Sequence, residues 1–215
     1  MSAMRQRKID LPDIPEDLET KTLDKLNYRT EKSFFDSIEN TISLKGKEFF
    51  YSKFNKVTLS NEKNTGVEFV DCIFDHCDFS NGYFPEMVAR RVIFKSCRMT
   101  GCDFTMSTLQ DVVFDGCQLN YCNFSSSKIN YVLLKNCMCQ EAIFSSCKQT
   151  GLQFEQTSLS GTEFFRTSLK NVDFRTSNIQ NIIVEIGSLK GSIMSLEQAA
   201  ACAQLLGIII KDDFH

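Results

Sequence analysis

The 215 residues carry 24 Lys and Arg against 27 Asp and Glu, a net charge of −3, which argues against general affinity for nucleic acid or an anionic membrane surface. No apolar run approaches the roughly 18 residues of a membrane span, and the polar start MSAMRQRKIDLPDIPEDLE is unlike a secretory signal. Ten cysteines in such a chain point to a reduced, cytoplasmic protein rather than a disulfide framework, which belongs to short secreted chains.

Residues 1–43 are mixed in charge and bear prolines. Within them Glu16–Leu26 reads as a short helix, and the whole stretch as a cap or arm. From Leu44 a strict period of five begins. Every residue whose number ends in 4 or 9, through Leu189, is apolar except Asn64 and Gln149, and nearly all are large. Neither a helix of period 3.6 nor a strand of period 2 has such a repeat. Two places earlier runs a column of small or β-branched residues, including Cys72, Cys77, Cys97, Cys102, Cys117, Cys122, Cys137 and Cys147. The other three columns are polar. A repeat of this kind identifies a stacked, quasi-one-dimensional architecture.

The triplets CDF at 77–79 and 102–104, CNF at 122–124 and VDF at 172–174 resemble the pentapeptide-repeat family. The resemblance implies an all-β fold, a right-handed quadrilateral β-helix in which four pentapeptides make one square coil of twenty residues. It implies three regions: an N-terminal arm or cap at 1–43, the β-helix at 44–190, and a C-terminal segment at 191–215. Alternating large and small inward residues then fill a narrow core, and Phe ladders run up two opposite walls.

On a twenty-residue coil, Cys77, Cys97, Cys117 and Cys137 pile into one column, and Cys102 and Cys122 into another. Their C-x-x-x-x-C spacing does not converge on a tetrahedron as a zinc site would, so the thiols read as small core residues. Neither His76 nor His215 stands beside a nucleophile and an orienting acid at recognisable spacing, and there is no phosphate loop or dinucleotide fingerprint. The chain therefore reads as a non-enzyme with no metal, cofactor or small-molecule substrate.

Two interruptions are expected: a bulge or loop at Asn61–Gly66, with Glu62 and Asn64 facing inward, and a weak coil side at Pro85–Ala89. Gln149, if buried, needs hydrogen-bond partners. Outside, Ile73, Ile93, Val113 and Leu133 recur every twenty residues as an apolar stripe. Either the N-terminal segment or a partner covers such a stripe. Asp71, Asp75, Asp111 and Asp115 flank it as the acidic part of a candidate partner surface, while Arg90, Arg91, Lys95 and Arg98 interrupt them.

Near the end, Ser195–Leu206 has a helix pattern with Ser195 as N-cap, Gln198 completing a capping box and Gly207 as the stop. Ile208–Lys211 reads as a short strand. Leu205, Leu206, Ile208, Ile209 and Ile210 form the expected interface of a homodimer. This ending resembles the C-terminal dimerisation segment of the Qnr and MfpA-like branch of pentapeptide proteins. That resemblance implies a DNA-imitating protein that binds DNA gyrase or topoisomerase IV and is linked to quinolone protection. Residues 44–190 hold sixteen basic and fifteen acidic residues, whereas duplex DNA presents about one negative charge per 1.7 Å. The alternative is an interaction or spacer protein whose partner has nothing to do with DNA topology.

Overall fold

The computed structural model describes residues 7–23, 26–39, 43–59, 63–204 and 207–211. Short parallel strands succeed one another: β1 (Glu19–Thr20), β2 (Arg29–Glu31), β3 (Ser33–Asp36), β4 (Glu48–Asn55), β5 (Glu68–Asp75), β6 (Val88–Lys95), β7 (Thr108–Asp115), β8 (Lys128–Lys135), β9 (Lys148–Thr150) and β10 (Gln153–Glu155). Helix α1 (Leu196–Ala203) closes the order. From β4 onward each ladder joins residue i to i+20, as in Phe54↔Phe74, Phe74↔Phe94 and Phe94↔Phe114. The chain is thus a four-sided parallel β-helix, stacked at about 4.8 Å per coil.

The corners set the period. Among the described residues from Gly46 to Asn171, those ending in 1 or 6 take a left-handed backbone, among them Asp71 (φ 52°), His76 (53°), Asn81 (55°) and Glu86 (60°). Most are not glycine, so each corner is strained by roughly 1–2 kcal/mol. Inter-coil hydrogen bonds offset this strain. At the corners themselves, His76 N–H donates to Lys95 O (2.9 Å) and Ser96 N–H to Asp115 O (2.8 Å).

Two kinds of side alternate in pairs. The β5–β8 strands each cover two sides and the corner between them. The remaining two sides form single bridges, such as Asp78↔Arg98 and Tyr83↔Asp103. On those sides the Asp or Asn of each CDF or CNF triplet accepts the amide two residues on: Ser80 to Asp78 (2.9 Å), Thr105 to Asp103 (2.9 Å) and Ser125 to Asn123 (3.0 Å). These are Asx turns. Pro85 occupies the corresponding amide position, where the bond comes from a side chain rather than the ladder, so it interrupts nothing. The weak side expected at Pro85–Ala89 is regular: Val88 N–H donates to Val67 O, and Ala89 pairs with Phe69 and Leu109.

The large column forms the core. Phe35, Phe54, Phe74, Phe94 and Phe114 stack along one wall with centroids 4.4–4.9 Å apart. Phe84, Phe104, Phe124, Phe144 and Phe164 stack along the opposite wall at 4.7–5.8 Å. The small column does more than fill space. Along most of it Sγ or Oγ donates to the carbonyl of the large residue three places back and one coil down: Cys97 to Phe74, Cys117 to Phe94 (3.3 Å), Cys122 to Met99, Ser127 to Phe104 (3.0 Å), Thr157 to Leu134 (3.0 Å). Hydroxyls also accept from the coil below, as Ser127 Oγ does from Ser107 N–H at 3.0 Å. The cysteines pile up as expected, with Cys97 in reach of both Cys77 and Cys117, and Cys102 of Cys122.

Both polar inward residues are partnered. Asn64 is fully buried and its Oδ1 accepts Leu44 N–H at 2.7 Å. Lys63–Gly66 continues the regular ladder, with Asn64 N–H on Tyr83 O and Gly66 N–H on Pro85 O. Residues 60–62, with Glu62, lie outside the described residues, so the loop expected at Asn61–Gly66 is absent from the part that is described. Gln149 is half-buried; its Nε2 donates to Ser168 O (2.7 Å) in the next coil.

The stack also extends below residue 44. Phe35 pairs with Phe54 and Thr30 with Phe49, an offset of 19 rather than 20. The corners Lys32 and Ser37 are displaced accordingly, so one residue is missing from the repeat between Ser37 and Gly46. The helix expected from Glu16 is not formed over residues 16–23, where β1 instead pairs with β3. The open end of a β-helix presents unpaired backbone donors, and an edge strand satisfies them. At the other end, α1 has the expected capping box between Ser195 and Gln198, and Gln198 Nε2 also bonds Phe174 O (2.8 Å) and Ser177 O (2.9 Å) on the last coil.

Cys117 supplies a test of the side-chain ladder. Cys117→Ser keeps the donor to Phe94 O, as the Thr157 hydroxyl shows in the same column, and is expected to change stability by less than about 1 kcal/mol. Cys117→Ala removes donor and volume together and is expected to lose about 1–2 kcal/mol in urea unfolding. Burial pushes Cys72 up to about 12 and Cys147 up to about 11 from the ordinary 9.0. Unfolded, Cys72 and Cys147 ionise near pH 9 and folded they do not, so their contribution to stability is complete below that pH and falls as pH rises toward 11 and 12. Urea midpoints measured under reductant from pH 7.5 to 10.5 should decline; a flat profile would contradict this account.

Candidate interaction surfaces

Three surfaces follow from the coil geometry. The first is the stripe. Ile73, Ile93, Val113 and Leu133 are successive partners in the ladder, each half-buried. They sit on a strand-like side, where β-branched residues suit the pleated backbone and shield one another. Lys53 and Gln153 end the stripe below and above.

The second is the charge pattern beside it. Along one ladder Asp75, Lys95, Asp115, Lys135 and Glu155 are consecutive partners, so the sign alternates from coil to coil. Elsewhere the arginines pair with acids one coil below: Arg90 with Glu68 (2.5 Å), Arg91 with Asp71 (2.5 Å) and Arg98 with Asp78 (2.7 Å). Asp75 also receives His76 at 2.6 Å on the exposed ridge.

Asp71 and Asp111 do not share the open position of Asp75 and Asp115. They are 2% and 3% exposed. Both are corner residues, and residues 7–13 lie across them. Asp13 N–H donates to Asp71 Oδ1 (3.2 Å), Asp10 N–H to Asp111 Oδ1 (3.2 Å) and Arg7 Nη2 to Asp111 Oδ2 (3.1 Å). The Arg7 guanidinium also stands 4.3 Å from the centre of the Tyr131 ring. Arg91 grips Asp71 with two bonds, at 2.7 and 2.5 Å, which pushes its own pKa up. The outward column hid this, because two acids on the coil surface look free until an arm 58 to 104 residues away in sequence is laid over them.

The third surface is the C-terminal end. Ile183, Ile186, Ile193, Leu196, Ile208, Ile209 and Ile210 are exposed, Leu196 at 89% and Ile209 at 82%. A cleft of about 490 Å³ opens between α1 and the last coil, lined in part by Ile179, Ile182, Ala201 and Cys202. Gly207 turns the chain at φ 71°. The strand expected at Ile208–Lys211 is not formed in the single chain, where no edge among the described residues lies beside it. Leu205 and Leu206 lie outside the described residues.

Among the described residues no cluster of three or more His, Cys, Asp and Glu could hold a metal ion, and no helix is long and apolar enough to cross a membrane.

Comparison with curated proteins gives no match. Residues 67–144 match the family model of the Pentapeptide repeat region. Among solved structures, the chain is similar to full-length QnrB1, a plasmid-mediated fluoroquinolone resistance protein, at 16% identity over 84% of this chain and 100% of that one, with a TM-score of 0.42. A trypsin-treated form of QnrB1 gives 22% identity over 85% and 90%, with a TM-score of 0.39. HetL, a pentapeptide repeat protein involved in heterocyst differentiation regulation in the cyanobacterium Nostoc sp., gives 16% over 77% and 89%, with a TM-score of 0.25. Residues 67–144 thus match the pentapeptide repeat region, and the left-handed corners at five-residue spacing and the ladders at twenty continue on either side of them.

Proposed function

We propose that the protein is a non-catalytic, rod-shaped protein-binding molecule that forms a homodimer through its C-terminal end. The observation that carries this reading is the gathering of seven exposed aliphatic residues around α1 and the last coils. Apart from Leu11, the exposed aliphatic residues gather at this end, whereas the exposed Tyr, Met and Phe side chains are spread along the coil and the stripe from Ile73 to Leu133 is half-buried; such a gathering is typical of self-associating interfaces. A self-complementary patch at the end of a rod closes into a two-fold dimer. The cleft beside α1 is the natural receptor for isoleucines of a second copy.

For the partner along the sides we favour a protein unrelated to DNA topology. Imitation of duplex DNA at a type II topoisomerase asks for a field of one sign along the rod. The alternating ladder from Asp75 to Glu155 and the three cross-coil arginine pairs cancel that field locally. The resemblance of the C-terminal segment still makes gyrase and topoisomerase IV the first partners to test.

Ile209→Lys is expected to convert the dimer to a monomer in sedimentation velocity without changing the circular dichroism of the coil; an unchanged dimer would remove the C-terminal end as the interface. In a gyrase supercoiling assay with and without a quinolone, neither inhibition nor protection is expected at micromolar protein. Either effect would restore the topoisomerase reading.

A further inference from the structure

We propose that the corner column Tyr51–Asp71–Arg91–Asp111–Tyr131 is a recognition track for an extended, arginine-bearing segment of a partner protein, and that residues 7–13 occupy it in cis. This rests on reading the rod as a partner-binding protein, and it names one binding surface and its ligand.

The spacing is the first argument. Asp10 and Asp13 donate their backbone amides to Asp111 and Asp71, two coils apart. Three residues of extended chain cover about 10 Å, and two coil spacings cover about 9.6 Å. A chain laid along the rod therefore meets a carboxylate at every second corner with every third amide. Backbone amides belong to any sequence, so this part of the grip accepts other occupants. Pro12 and Pro15 hold the arm and the residues before them in extended conformations, and a competitor needs the same stiffness.

Arg7 supplies the specific contact. Its guanidinium bonds Asp111 and lies over Tyr131, combining charge-assisted hydrogen bonding with a cation–π contact. The column reads Tyr-Asp-Arg-Asp-Tyr, symmetric about Arg91. Its other end has the same aromatic corner, Tyr51, one coil from Asp71. Among the described residues no cation lies over the Tyr51 ring. The arm instead places Asp13 next to Asp71 at that end, acid beside acid.

The arm is also loosely held. Leu11 is 56% exposed, and among residues 7–13 only Ile9 and Pro12 are half-buried. Arg7 Nη2 is shared between two carboxylates, Asp10 at 2.6 Å and Asp111 at 3.1 Å. A segment with a second basic residue about six places after its first would span Tyr131 to Tyr51, four coils or roughly 19 Å. It would fill a seat that the arm leaves open, and so displace it.

The test uses the full chain and two fluorescent peptides, one of residues 7–16 and one carrying Asp13→Arg. In fluorescence anisotropy the Asp13→Arg peptide is expected to bind at least tenfold tighter than the unaltered peptide. It should also bind an Arg7→Ala protein, whose own arm is weakened, at least tenfold tighter than the unaltered chain. Asp111→Asn, introduced beside Arg7→Ala with the coil's circular dichroism intact, should weaken that binding about tenfold. Trypsin cleavage after Lys8 in the unaltered chain should quicken when the peptide is added. Absence of binding to the Arg7→Ala protein, binding indifferent to Asp111→Asn, or binding without faster cleavage each overturns the proposal. A dimer that dissociates on Arg7→Ala but survives Ile209→Lys would show the occupant to be a second copy and also overturn it. None of these readouts depends on a natural partner, so failure of the track leaves the C-terminal dimer separately testable.

Discussion

A backbone bent into the left-handed region every fifth residue is the constraint behind the rest of this structure. L-residues resist that conformation, and here Asp, His, Glu, Arg, Tyr and Met adopt it as well as Gly and Asn. A single such turn would relax. A stack of them persists because each coil is bonded to the next on every side, so relaxing one corner breaks ladders both above and below it. The strain and the ladders therefore stand or fall together, and the inward columns are what hold the coils in register.

The same geometry explains why the polar columns differ from side to side. Where two sides form a continuous strand, the amides are used by the ladder and the outward middle position is free to be β-branched, as at Ile73, Ile93 and Val113. Where the chain makes single bridges, the amide two residues on has no ladder partner, and Asp78, Asp103 and Asn123 supply one. The apolar stripe and the acidic triplets are first of all the surface record of two backbone types. A function for either has to rest on something beyond recurrence, and the buried carboxylates under residues 7–13 supply it.

The architecture was legible because the inward pattern is strict. The period of five, the paired columns, the Phe walls and the cysteine piles all follow from residues 44–189 alone. The hydrogen-bonding role of the thiols was not, since a thiol that fills space and a thiol that reaches Phe94 O look the same in sequence. Nor was the extra coil around Phe35. A one-residue deficit between Ser37 and Gly46 moves its inward residues from numbers ending in 4 and 9 to those ending in 5 and 0, and a search anchored on one register passes over it. The arm was hidden for another reason. Asp71 and Asp111 occupy outward columns, and only the chain's return from 58 to 104 residues away buries them.

Taken together, the surfaces divide the labour of the rod. Its flanks cancel charge from coil to coil, which keeps long-range fields weak and leaves recognition to short-range contacts. Its C-terminal end concentrates exposed aliphatic residues that water disfavours. Between them the corner column holds two carboxylates out of water, and burying such groups is unfavourable unless their acceptor capacity is used. Arg91 provides for Asp71, but Asp111 depends on Arg7 and an arm amide. The arm thus solves an electrostatic problem that the coil creates, and any occupant of that column has to solve it as well. That requirement, rather than the fold, gives this rod a chemically specific face.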